Sequence, residues 1–117
     1  MAILFKTGVV VRNYTPALSK ILECILILNE QNIETWPKDF WITSINDSTH
    51  LPNSKHYKNE ALDLRSKNFK TKSEKLTFIN KLKLLLGDKF TVLFENENTN
   101  NEHFHIQVKK GEVFSWH

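Results

Sequence analysis

The side chains of this sequence that are best suited to metal chemistry fall in two short segments. The first covers residues 54–65 and contains His56 and Asp63, and the second covers residues 102–105, Glu-His-Phe-His. Imidazole and carboxylate groups are common zinc ligands, whereas a single cysteine, Cys24, excludes a cysteine-rich zinc site. These two segments therefore contain the candidate ligands of a metal site.

A metal site that uses both His56 and Asp63 requires the chain to reverse direction between them. The two residues are seven positions apart, and on one continuous helix this spacing separates them by about 10 Å. Because zinc binds nitrogen and oxygen ligands at about 2.0–2.2 Å, shared coordination needs a turn. Asn59 suits such a turn, since asparagine tolerates a positive φ better than most residues other than glycine.

In the second segment, strand geometry determines which side chains share a face. Alternation along a strand places His105 on the polar face, opposite to Phe104 and Ile106. Glu102 is three residues before His105, so the two share a site only if Glu102 lies in the turn that precedes the regular strand. His103 has the same parity as His105 and is the alternative partner.

The combined pattern, Ser-x-His-x6-Asp followed by Glu-x-x-His, resembles the D-alanyl-D-alanine carboxypeptidase-type zinc peptidases. That family includes the vancomycin-resistance D-Ala-D-Ala dipeptidases and the phage L-alanyl-D-glutamate endolysins. Its signature Ser-x-His-x-x-Gly-x-Ala-x-Asp is met from Ser54 to Asp63, with Asn59 in place of glycine. The similarity extends to a Thr-Ser pair at 43–44 and to the pattern Asp-x-x-His-x-x-x-Ser-x-His of small phage-encoded members, which begins at Asp47.

The resemblance implies a catalytic zinc held by His56, Asp63 and His105, with Glu102 as the general base. Three protein ligands and an open fourth position are typical of catalytic zinc, which activates water and polarises the scissile carbonyl. The implied activity is that of a metallopeptidase, a phage endolysin or virion lysin, which cleaves D-amino-acid-containing stem peptides of peptidoglycan. Residues implied to contact the substrate are Asp47, His50, Ser54, Arg65 and His103.

One departure from the family pattern keeps a second function open. Many relatives carry an arginine shortly after the Thr-Ser pair, where this chain has Asn46 and Asp47. Either Arg65, His50 or His103 takes the role of that arginine, or catalysis is weak. In the second case the chain would serve as a zinc-containing wall-binding or virion structural module.

The His-hydrophobe-His sequence at 103–105 also matches a motif of rolling-circle DNA nickases, which are a different class of enzyme. Those enzymes need a catalytic tyrosine downstream of the motif. The only tyrosines of this chain, Tyr14 and Tyr57, both precede it. The motif alone therefore makes a nickase only a remote alternative.

Two helices and four strands are expected to position these residues. Thr15 is the predicted N-cap of the first helix, whose apolar stripe runs from Leu18 to Ile33. Thr71 begins a capping box before the second helix, which is predicted to stop at Gly87. Alternating patterns predict strands at 40–45, 61–65, 90–94 and 103–109, and residues 46–59 read as a long loop.

The order of these elements predicts one α+β domain over residues 1–117. We expect a mostly antiparallel sheet with two main helices packed on one side. The resemblance further implies a fold of the hedgehog/D-Ala-D-Ala-peptidase type.

Charge and composition restrict the partners. The 117 residues carry a net charge of +3, with nine Lys/Arg against three Asp/Glu between positions 55 and 83. This basic segment is either a solvated surface or an attraction to a polyanion such as an anionic cell wall. Sequence-specific nucleic-acid recognition is not expected, because fourteen of the sixteen basic residues are lysine. Three glycines are too few for a Gly-rich phosphate loop.

The sequence also lacks the patterns of export and membrane insertion. Its N-terminus has no basic region followed by a long apolar core, and its apolar runs, such as Ile25–Leu28, are far shorter than the roughly 20 residues of a membrane span. We expect a monomer, present in the cytoplasm of the producing cell or in a virion, that acts on the cell wall after release.

Overall fold

The structure is a computed structural model that describes residues 2–9, 15–45, 60–109 and 112. These residues form five strands and two helices. In chain order the elements are β1 (Ala2–Phe5), α1 (Pro16–Glu30), β2 (Asp39–Ser44), β3 (Ala61–Arg65), α2 (Lys72–Leu86), β4 (Phe90–Glu95) and β5 (His103–Val108).

Both helices begin where their capping residues predict. The Thr15 hydroxyl accepts a hydrogen bond from the Leu18 N–H at 3.1 Å, and the Thr71 hydroxyl accepts one from the Glu74 N–H at 3.2 Å. Gly87 ends α2 with a φ of 87°, which favours glycine. The first helix stops at Glu30, before the predicted stripe is complete, and its last turn is followed by a left-handed asparagine at position 32.

The sheet is mixed, with strand order β1-β2-β3-β5-β4. The pair β1–β2 is parallel, and the other three pairs are antiparallel. The prediction of a mostly antiparallel sheet is therefore wrong in this respect. The difference comes from β1, a four-residue edge strand that the sequence patterns do not predict. Helix α1 connects β1 to β2, because parallel neighbouring strands need a crossover connection.

The two helices pack on one face of the sheet and share one hydrophobic core with it, as predicted. Aromatic rings fill its centre: Phe78 stacks on Phe104 with ring centroids 5.1 Å apart, and Trp36 meets Phe78 edge-on at 5.4 Å. Cys24 lies in the same core, and burial raises the pKa of its thiol. The sheet face opposite the helices is called the open face below.

A β-bulge changes which residues of β2 point to the open face. Ile42 pairs with Leu64, whereas Ser44 pairs with Asp63, so β2 advances by two residues while β3 advances by one. Because paired residues place their side chains on the same face, Ser44 joins Asp63 on the open face. Ile45 returns to the core, where it is fully buried. The bulge therefore accounts for an apolar residue at position 45 that simple alternation places on the polar face.

The dimensions of the chain are those of a small globule. Its radius of gyration is 13.4 Å, close to the value of about 13 Å typical of compact domains of about 100 residues. This compactness is consistent with a monomer. Neither helix of the described residues has the length and apolar character needed to cross a lipid bilayer.

Candidate functional site

The open face of β3 and β5 carries the polar side chains that the sequence analysis selected. Their neighbours on the same strands, among them Leu62, Leu64 and Phe104, are fully buried on the helix side. Alternation therefore brings half-buried polar side chains together on the other side. These are Asp63, Arg65, His103, His105 and Gln107.

Strand register places the two described zinc-ligand candidates directly opposite each other. Asp63 pairs with His105 across β3 and β5, and Arg65 pairs with His103 one step along. The Asp63 carboxylate Oδ1 lies 2.8 Å from His105 Nδ1, which is hydrogen-bond distance. Residues 42 positions apart in the chain thus meet because two central strands pair in register.

The second ring nitrogen of His105 also faces an oxygen. Its Nε2 lies 2.7 Å from Gln107 Oε1. Burial alone lowers the pKa of His105, but the hydrogen bonds to Asp63 and Gln107 and the charges of Asp63 and Glu95 outweigh it, so the pKa is raised. A protonated imidazole does not bind metal, so metal binding at His105 requires loss of this proton.

His103 lies on the same face, and both of its ring nitrogens have partners. Its Nδ1 lies 2.6 Å from the Asn101 carbonyl oxygen, and its Nε2 lies 3.0 Å from Glu95 Oε1. The same Nε2 is 3.9 Å from Asp63 Oδ1. The open face therefore carries two histidines and two carboxylates in one connected group, formed by Asp63, Glu95, His103 and His105.

Glu95 is the member of this group that the sequence analysis missed. The sequence pattern ends the strand at position 94, but β4 extends to Glu95, which pairs with His103 of β5. The signal that could have found it is parity: Glu95 is two residues after Leu93, and Leu93 pairs with His105. That signal depends on the register of the hairpin, which the sequence alone does not give.

Glu102 occupies a different environment from the group on the open face. Its side chain is 3% exposed, and its carboxylate accepts hydrogen bonds from the Ser66 hydroxyl (2.6 Å), the Lys75 ammonium (2.9 Å) and the Asn98 N–H (3.1 Å). Burial raises the pKa of Glu102, but these hydrogen bonds and the Lys75 charge outweigh it, so the pKa is lowered.

The partners of Glu102 show that its carboxylate is directed toward the helices. Lys75 belongs to α2, and its ammonium also lies 5.6 Å from the centre of the Phe94 ring. Glu102 directly precedes β5 and points to the same side of the sheet as the buried Phe104. The structure therefore does not bring the Glu102 carboxylate into the group around His105. No sequence spacing pointed to Lys75 or Ser66 as its partners.

The remaining predicted site residues divide into two sets. Arg65 lies beside the described group, with its guanidinium carbon 5.2 Å from the centre of the Trp41 ring. Asp47, His50, Ser54 and His56 lie outside the described residues, as do Asn46 and Asn59. Within the described ranges, no three His, Cys, Asp or Glu side chains are arranged to hold a metal ion. Of the three predicted zinc ligands, two are thus seen in contact.

A polar cleft of about 480 Å³ adjoins Asp63 and His103 on the open face. Three cationic side chains border it, Lys6, Arg65 and Lys67. Of these three, only Arg65 is a site residue predicted from the sequence. Lys6 follows β1, a strand that the sequence patterns do not predict. The cleft also receives Thr43 and Ser44, the Thr-Ser pair at the end of β2.

Comparison with protein-family models, with curated proteins and with solved structures finds no match for this chain. The likeness to zinc peptidases therefore depends on the residues quoted above and on the contact between Asp63 and His105.

Proposed function

We propose that this chain is a zinc-dependent peptidase that cleaves peptidoglycan stem peptides, as a phage endolysin or virion lysin does. The observation that carries the proposal is the contact between Asp63 and His105, two residues that the family motif names as ligands. Both lie on central strands of the sheet, and β-strands hold functional side chains more rigidly than loops do.

The donor set suits zinc. The contact pair supplies one carboxylate, from Asp63, and one imidazole, from His105, and His56 would add a second imidazole from the segment that leads into β3. When bound, zinc supplies Lewis acidity and lowers the pKa of a bound water. His105 Nδ1 and the Asp63 carboxylate, now hydrogen-bonded to each other, would exchange that bond for metal ligation.

Proton transfer in this proposal falls to Glu95 and His103 rather than to Glu102. A general base must reach the proton that it removes, and Glu95 and His103 lie on the same face as His105. The Glu102 carboxylate is held by three donors on the helix side. Its lowered pKa also makes it a weaker base. The motif-based assignment of Glu102 as the base remains the alternative.

The first test is metal content and product identity measured on the same protein. We expect the full chain, equilibrated with zinc and desalted, to retain about one zinc per chain by elemental analysis. Mass spectrometry of digested peptidoglycan should show a cut within the stem peptide. The variants Asp63→Asn and His105→Gln should lose the zinc, whereas His117→Ala, which removes a histidine outside the proposed ligand set, should retain it.

Two results would decide against this function. Zinc content that is unchanged in both Asp63→Asn and His105→Gln would show that the metal site is elsewhere or absent. Retained zinc without any cleavage, by the wild-type chain and by Glu95→Gln alike, would instead support the wall-binding or structural module, the second function that the sequence leaves open.

A further inference from the structure

The cleft beside Asp63 and His103 combines positive charge with a buried hydroxyl that has no hydrogen-bond partner among the described residues. Ser44 is 9% exposed, and its Oγ makes no hydrogen bond with any residue of the described ranges. Buried polar atoms are nearly always hydrogen-bonded, so an exception calls for a missing partner. The bulge in β2 puts Ser44 on the open face, at the wall of the cleft.

Within the described ranges, the cationic side chains that border the cleft are not paired with carboxylates. Lys6, Arg65 and Lys67 form no ion pair with any carboxylate in the described part of the chain. Two acidic residues also line the cleft, but the Asp63 carboxylate contacts His105, and the Glu102 carboxylate is paired with Lys75 on the helix side. Three like charges around one concave surface create a positive potential that attracts an anion.

Contacts of the side chain hold two of the three cations in place. The Arg65 guanidinium packs over the Trp41 ring, which restricts its rotation. The Lys67 ammonium donates to the Asn100 carbonyl oxygen. For Lys6 it is the backbone that is fixed, by a hydrogen bond from its N–H to the Ile42 carbonyl oxygen at 2.9 Å, whereas its side chain is exposed. Preorganised donors of this kind bind anions better than freely rotating surface lysines, because less side-chain entropy is lost on binding.

We propose that this cleft is an anion subsite that binds a free carboxylate of the substrate through Arg65, Lys67 and Lys6, with the Ser44 hydroxyl as a buried donor. The assignment of the anion to the substrate rests on the proposed peptidase function. The shared chemistry is that of an oxyanion with two or three acceptor oxygens, for which guanidinium is the best matched side chain. A phosphate would offer similar oxygens, so the experiment compares the two.

The test is binding of glutarate and of inorganic phosphate to the metal-free full chain, measured by isothermal titration calorimetry. We expect saturable glutarate binding that is weakened about tenfold or more by Arg65→Gln and by a smaller factor by Ser44→Ala. Lys81→Gln removes the same charge from an exposed position of α2 and should change binding less than twofold. Thermal unfolding of each variant shows whether it is folded.

Several outcomes would overturn the subsite. These are no saturable binding of glutarate, binding of phosphate alone, or an equal loss in Lys81→Gln and Arg65→Gln. If Ser44→Ala does not fold, the affinity of Lys67→Gln takes its place, and an unchanged value there counts against the proposal. The titration uses metal-free protein and involves no turnover. A failure to cleave peptidoglycan therefore does not affect the binding result, and a failure to bind glutarate does not affect the cleavage result.

Discussion

Two groups of charged side chains lie on opposite sides of the sheet near the start of β5, and they use similar residues differently. On the helix side, Glu102 is enclosed by donors from Ser66, Lys75 and Asn98. On the open face, Asp63 and Glu95 contact histidines that are half-buried. A buried carboxylate whose two oxygens both accept hydrogen bonds stabilises a fold, whereas an accessible carboxylate beside an imidazole can exchange protons and ligands.

The comparison shows why a motif does not assign a role without register. Glu102 and His105 match the spacing Glu-x-x-His, yet three residues along an extended chain place them on opposite faces. The carboxylate that shares the face of His105 is Glu95, which comes from the neighbouring strand. Glu95 and Glu102 should therefore differ in their effects on the cleavage rate, on stability and on the pH dependence of stability.

The largest expected effect concerns catalysis. If the open face supplies the base, Glu95→Gln should reduce the rate of peptidoglycan cleavage by about 10²–10⁴-fold while unfolding like the wild type. Glu102→Gln should retain most of the rate per folded molecule and lose stability instead. The rates come from product appearance at saturating zinc, corrected for the folded fraction by circular dichroism. A larger loss of rate in Glu102→Gln would restore the assignment from the motif.

A smaller effect is expected for the buried ion pair. Lys75→Met leaves the Glu102 carboxylate in its pocket without a counter-ion and should lower the free energy of unfolding by about 3 kcal/mol. The matched control is Lys72→Met, which breaks an exposed pair with Glu97 and should cost less than about 1 kcal/mol. Urea denaturation measures both. Equal losses would mean that burial does not distinguish the two pairs.

The smallest effect is a pH dependence of stability with opposite signs for the two groups. The pKa of Glu102 is lowered in the folded chain from its usual 4.5, so its contribution is present above that value and is lost as the pH falls through the folded pKa. The pKa of His105 is raised from 6.5, so its contribution in zinc-free protein is present below 6.5 and is lost as the pH rises through the folded pKa.

Unfolding midpoints of the zinc-free protein between about pH 3 and pH 8 test this pair of slopes. Glu102→Gln should remove the decrease of the unfolding midpoint at acidic pH and keep the decrease near neutral pH. His105→Gln should remove the decrease near neutral pH and keep the one at acidic pH. If the decrease near neutral pH persists in His105→Gln, another group is responsible for it.

Local signals in the sequence predicted the helix starts, four of the five described strands, and the faces of β3 and β5 correctly. Thr15 and Thr71 cap their helices through bonds to residues three positions away, which lie within the predicted segment itself. Strand alternation likewise placed His105 on the polar face, opposite to the buried Phe104 and Ile106. In each of these cases, the residues that decide the outcome are close in sequence or share a known pattern.

What the sequence did not predict depends on pairing between distant segments. The strand β1 is only four residues long and gains its hydrogen bonds from β2, 37 positions away. The bulge that turns Ser44 to the open face is visible only in the register of β2 against β3. Likewise, the partnership of Glu102 with Lys75 requires the packing of α2 against the sheet.

The position of β5 in the sheet has a consequence for how the chain acquires its shape. It follows the other described strands in the chain, yet it pairs with β3 on one side and with β4 on the other. Among the described strands, β5 is the neighbour that joins β4 to the sheet. The core side of β3 depends on β5 as well, because Leu62 pairs with Ile106 and Leu64 pairs with Phe104. We therefore expect β4 to join the sheet only after β5 has been synthesised, so that contacts between distant segments complete the sheet late in folding.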